Sequence, residues 1–150
     1  MNCLDNILKQ NLAFQALLNG KGNIVVNDIS DEALLLTSAF LKLKKNIVVV
    51  KANQYEANML YQKVMLLNEK DVSLFAVDES YRIEALAASP ELLGQRIDTL
   101  YQLTKNEPRI LITHSQAILR YLPSKRLFID NCLEVKVGMQ IDIYDLKKSL

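Results

Sequence analysis

Asn46-Ile47-Val48-Val49-Val50-Lys51-Ala52-Asn53-Gln54-Tyr55-Glu56 is the stretch that decides the fold. Four consecutive β-branched residues are stiff at χ1 and favour an extended backbone over a helix. Their run has no polar alternation, which predicts a parallel strand covered on both faces. Asn53 with Glu56 three positions on resembles a capping box, which opens a helix reaching about Leu67. A buried strand feeding a capped helix is half of a βαβ unit, and the rest of the chain repeats the theme.

Upstream, Leu4, Ile7, Leu8, Leu12, Leu17 and Leu18 recur at helical spacing over 3–18, and Asn19-Gly20 offers a stop. Asn23-Ile24-Val25-Val26 predicts a short first strand. Ser30-Asp31 offers an N-cap for an apolar helix to about Leu43, with Lys42, Lys44 and Lys45 favourable at its negative end. Downstream, 72–77 predicts the third strand. Ser89-Pro90 reads as N-cap and first-turn proline of a helix to about Leu103. The fourth strand is 110–113, and Ser115 is the expected cap of a helix ending near Tyr121, ahead of Pro123. Alternating strands and helices with short links predict an α/β fold, a parallel sheet of at least four strands with helices on both faces. No internal repeat is visible. Beyond Pro123 the pattern changes: a turn or two of helix over 124–129, a half-exposed strand over 133–137, a turn at Gly138, then a helix from Asp142 carrying Ile143, Leu146 and Leu150 on one face. The division expected is 1–132 as one domain and 133–150 as the opening of a second.

Composition narrows the function. The 150 residues are 50% apolar, with 4 Gly and 3 Pro, which excludes a disordered or collagen-like chain. A net charge of +1 excludes nucleic-acid or membrane affinity driven by overall charge. Cys3 and Cys132 form neither a metal-ligand spacing nor a disulfide framework. The start lacks a signal peptide, and no window approaches the ~20 apolar residues of a membrane helix. The expectation is a cytoplasmic domain with no membrane association.

A parallel α/β sheet raises the question of a nucleotide site. A phosphate loop needs glycines, a lysine and a Ser/Thr just after the first strand. Asn27-Asp28-Ile29-Ser30-Asp31-Glu32-Ala33-Leu34 stands there instead, with no glycine, no lysine and three acids that would repel a triphosphate. Asp78-Glu79 at the end of the third strand imitates the magnesium-binding acids of ATPases, but without a phosphate loop it reads as a solvated strand end. His114-Ser115 follows the fourth strand, where α/β folds often place active residues. Ser115 is accounted for as a cap, His114 is the only histidine, and a catalytic Ser-His pair would want the two apart in sequence, side by side in space and joined by a third group that orients the base. No catalytic residue, metal ligand or cofactor is expected.

Charge is uneven along the chain. Residues 69–98 hold seven acids and three bases, whereas 105–126 hold five bases and one acid. Lys105, Arg109, Arg120, Tyr121, Lys125 and Arg126 are the candidate surface for nucleic acid or a protein partner, with Arg120-Tyr121 able to stack on bases.

The order of short motifs adds a resemblance. Leu74-Phe75-Ala76-Val77-Asp78-Glu79, Ala88-Ser89-Pro90-Glu91-Leu92, Gln95-Arg96-Ile97, Thr99-Leu100, Ile112-Thr113-His114 and Leu119-Arg120-Tyr121-Leu122-Pro123 closely resemble the N-terminal region of bacterial transcription-repair coupling factors. The similarity continues through Leu133-Glu134-Val135-Lys136-Val137-Gly138 to Leu146 and covers roughly 20–150. The resemblance implies a degenerate P-loop fold, like the first domain of the excision-repair protein UvrB without its ATP site, with the phosphate-loop lysine falling near Ala33. It implies a UvrA-binding domain beginning near Leu133, with most of the UvrA contact beyond Leu150. It also implies that the whole family member is an ATP-dependent DNA translocase, a helicase-type hydrolase that meets RNA polymerase and DNA through its other domains. The expected role is therefore a non-catalytic scaffold supporting UvrA recruitment in nucleotide excision repair. The alternatives are a nucleotide-dependent UvrB or helicase fragment, or a weak DNA-binding module using 105–126.

Overall fold

The computed structural model describes residues 10–20, 22–76, 90–119, 121–133, 137–140, 142 and 144. The expectations for Leu4, Ile7 and Leu8, for Asp78-Glu79, for the Ser89 cap, for Arg120, for the centre of the 133–137 strand and for the Ile143–Leu146–Leu150 stripe lie outside these residues. The chain divides into two compact units, Met1–Arg120 and Tyr121–Leu150.

The first unit is α/β, with a parallel three-stranded sheet among its described residues. Its elements are α1 (Leu12–Leu18), α2 (Ile29–Leu43), β1 (Ile47–Lys51), α3 (Gln54–Leu67), β2 (Val72–Leu74), α4 (Pro90–Thr104), β3 (Ile110–His114) and α5 (Ser115–Ile118). The strand order is β1-β3-β2, so β3 is central and each connection crosses over, as parallel strands require. Register aligns Ile47 with Ile110 and Lys51 with His114 on one side, and Val72 with Ile110 on the other.

Capping explains most helix limits. The Asn11 side chain accepts the Phe14 N–H and starts α1, which stops at Asn19 and the left-handed Gly20. Helix α2 starts two residues earlier than the Ser30 cap expected, with Asp28 as its N-cap. Asp28, in extended conformation, accepts the N–H groups of Ser30 and Asp31 with one carboxylate oxygen, at 2.6 and 3.0 Å. Lys44 ends the same helix in the left-handed region (φ 52°) and donates its N–H to the Phe40 carbonyl. Asn53 caps α3 by accepting the Glu56 N–H, and its amide returns a bond to the Glu56 carboxylate. Helix α5 is shorter than expected, and Ser115 is not its cap. His114 holds the cap position without a side-chain bond, while the Ser115 hydroxyl donates to the Ala52 carbonyl at 3.0 Å.

One face of the sheet is packed by α3 and α2. Ala57, Leu60 and Val64 of α3 and Ala33, Leu36 and Phe40 of α2 enclose Val72, Leu74, Ile110 and Ile112, with Ile47 and Val49 at the margin. Burying each such large side chain contributes about 1.5–3 kcal/mol. Phe14 of α1 forms a smaller cluster with Leu35 and Ala39.

Two expectations give way here. Residues 23–26 form no strand among the described residues; the segment is irregular, with Val25 exposed and Val26 packed on the Phe14 cluster. An isolated apolar segment needs a neighbouring ladder to become a strand, and none of the described strands pairs with it. The face of β1 opposite α3 is also open rather than covered, with Val48 60% and Val50 49% exposed. The apolar run spells a strand, but an edge position leaves half of it in water.

In the second unit, Ser124 accepts the Leu127 N–H and caps α6 (Lys125–Asp130), as the short helix expected at 124–129. No residue of α6 is buried.

Candidate functional site

The carboxyl rim of a parallel sheet is where α/β folds place ligands, and several side chains meet there. Lys51 ends β1 and reaches both carboxylate oxygens of Glu32, in the first turn of α2, at 2.9 and 3.1 Å. Asp28 sits one turn away on the same helix start. Its carboxyl is held below the usual 3.8 chiefly by the Asp31 N–H, then by the Ser30 N–H, with a smaller contribution from the Lys63 charge. The two amides that would greet an anion are therefore already engaged by a carboxylate.

His114 ends β3 beside Lys51 in register and is 1% exposed. Neither ring nitrogen has a hydrogen-bond partner, and burial pushes its pKa below 6.5. A neutral imidazole without an orienting carboxylate is poorly equipped as a general base. Among the described residues, no group of three or more His, Cys, Asp or Glu is arranged to hold a metal ion.

Two arginines do structural work that the sequence reading did not assign. Arg96 of α4 is 6% exposed; its Nη1 donates to the Ala76 carbonyl at 2.8 Å, and its guanidinium lies 4.0 Å from the Phe75 ring centroid. Thr99, one turn on, donates to the Leu74 carbonyl at 3.0 Å. Thr113 of β3 donates to the Phe75 carbonyl at 3.0 Å. Together these hold 74–76 extended, with α4 closing the outer edge of β2. A sequence signal existed: Arg96 and Thr99 are three apart and share a helix face.

The second is Arg109, one of the candidate surface residues. It is 8% exposed, and its guanidinium bonds Ser73 Oγ at 3.0 Å, with longer bonds to the Lys70 carbonyl and Gln102 Oε1. Its backbone N–H is held by Asn46. Its charge is thus used inside the fold, joining β2, α4 and the start of β3. Lys105 is exposed and lies over the Tyr101 ring. Tyr121, Lys125 and Arg126 are exposed in the second unit, where Arg126 Nε stands 3.7 Å from Asp130. The candidates therefore fall in two separate units, and only Lys125 and Arg126 are neighbours on one element.

The chain has relatives among known proteins. A transcription-repair-coupling factor of Bacillus subtilis (strain 168) is 28% identical over 149 residues, covering 95% of this chain. One from Staphylococcus epidermidis is 26% identical over 92% of the chain, and one from Staphylococcus haemolyticus 24% over 98%. The chain is similar to the amino-terminal region of transcription-repair-coupling factors. It spans only 12–13% of the length of these coupling factors. No family profile and no solved structure matches the chain. The α/β unit with its small parallel sheet is consistent with a fold like the first domain of UvrB. Among the described residues, no helix is long and apolar enough to cross a membrane.

Proposed function

We propose that this chain is a non-catalytic scaffold module of transcription-coupled nucleotide excision repair, which supports recruitment of UvrA and neither binds nor hydrolyses ATP. The similarity to coupling factors supports the process. The observation that carries the non-catalytic reading is the start of α2. Asp28 occupies the Ser30 and Asp31 amides, and Glu32 holds Lys51, the cation at the adjacent strand end. A phosphate approaching there meets three carboxylates, and the strand-end lysine is already paired. The degenerate P-loop assignment belongs to this reading.

The proposal divides the chain at 132/133, with 133–150 opening a UvrA-binding domain whose main contacts follow Leu150. DNA and RNA polymerase then belong to other parts of a longer coupling factor. Two measurements test it. Titration calorimetry with Mg-ATP gives no saturable heat; micromolar binding overturns the non-catalytic reading. Pull-down of UvrA is much weaker for this chain than for one extended by about 80 residues, a span within the usual domain size. Equal affinity overturns the division.

A further inference from the structure

The two edges of the sheet are treated differently. At the outer edge of β2, the carbonyls of Leu74 and Ala76 are taken by Thr99 and Arg96 of α4. At the outer edge of β1 nothing comparable occurs among the described residues. The Ile47 N–H bonds the Arg109 carbonyl, so in a parallel ladder Ile47, Val49 and Lys51 turn their backbone groups to β3. Val48 and Val50 turn theirs outward, where no described residue receives them. Their side chains are the ones left exposed on the uncovered face, beside half-buried Leu111. Edge strands are usually protected by a proline, a bulge or an inward charge. Residues 47–50 carry none of these, and the lysine that follows is held by Glu32.

We propose that this edge binds a second copy of the chain, the two β1 strands pairing antiparallel about a two-fold axis through Val49 to form one continuous sheet. In that register Val48 faces Val50 of the other copy, and each pair exchanges both backbone bonds. The exposed valines become cross-strand pairs on the open face. Charge selects the antiparallel arrangement and the self-partner. Lys44 and Lys45 precede β1, whereas Asp28, Asp31, Glu32 and Glu56 crowd the far end around Lys51. Antiparallel pairing sets the basic end of each copy against the acidic end of the other, twice. Parallel pairing would stack like on like.

Sedimentation velocity on the chain from micromolar to millimolar concentration tests this, with amide exchange at Val48 and Val50 as a second readout. The expected result is a monomer–dimer equilibrium, with protection of those two amides rising with concentration. Raising salt to 0.5 M, or the Lys44→Glu/Lys45→Glu variant, weakens the dimer about tenfold. Val48→Lys abolishes it, and Val50→Thr, which keeps the strand's shape, retains it. The charge variant alters exposed residues only, so it remains informative if Val48→Lys fails to fold. A chain that stays monomeric at 1 mM, a dimer indifferent to both variants, or protection of Val48 and Val50 that does not depend on concentration overturns the proposal.

Discussion

The ammonium of Lys51 grips both oxygens of Glu32, at 2.9 and 3.1 Å, and ties the end of β1 to the first turn of α2. The two side chains retain about a fifth of their exposure (20% and 22%), so water screens the pair in part. Glu32→Gln is expected to cost about 0.5–1 kcal/mol in urea unfolding, the range of a partly exposed ion pair. A loss above about 3 kcal/mol would mean that the pair behaves as a fully desolvated one.

Arg96 should matter more. Arg96→Met removes a charge-assisted bond to the Ala76 carbonyl and the stacking on Phe75. The buried carbonyl is left without its donor, and a loss of about 2–4 kcal/mol is expected by chemical denaturation. A variant as stable as the parent would show that α4 is not what closes the β2 edge.

His114 makes the fold sensitive to acid. Burial holds its folded pKa below 6.5, so as pH falls through 6.5 the unfolded chain takes up the proton first. Stability attributable to this group is therefore complete above 6.5 and is lost as the pH drops below it. His114→Leu removes two unpartnered nitrogens from the interior and should flatten that part of the stability–pH profile, with equal or higher stability at pH 7.5. An unchanged slope between pH 6.5 and 5 would assign it to another group.

DNA binding, if measured by anisotropy, should be weak, independent of sequence and sensitive to salt. Arg126→Ala is expected to lower the affinity and reduce the salt slope by about one unit, whereas Arg109→Ala should lower stability and leave the salt slope of the folded protein intact. A nanomolar complex at 0.5 M salt would defeat this, as would a slope governed by Arg109.

The helices were legible because their signals are local. Asn53 and Glu56 cap α3 within four residues of each other, and the far ends of α2 at Leu43 and of α4 at Thr104 follow from apolar spacing. The strands 47–51 and 110–114 were legible for the same reason. The 23–26 segment was misread because its β-branched residues describe a preference, and a strand exists only when another strand supplies the other half of each bond. Among the candidate surface residues, Arg109 looked like its neighbours in a basic stretch. Its withdrawal from solvent depends on Ser73 and Lys70, more than thirty positions away.

By itself the sequence determined that this chain is α/β with parallel strands, that three carboxylates stand at the start of α2, and that its motifs follow those of coupling factors. These properties rest on side-chain chemistry and short-range periodicity, which the order of residues states directly. Only the tertiary structure decided that β3 lies at the centre, that β1 is an edge with Val48 and Val50 in water, and that Arg96 and Arg109 serve the interior. Strand order and burial arise from pairings between residues far apart in the chain. Their free energy depends on which surfaces meet, and no local pattern carries that information.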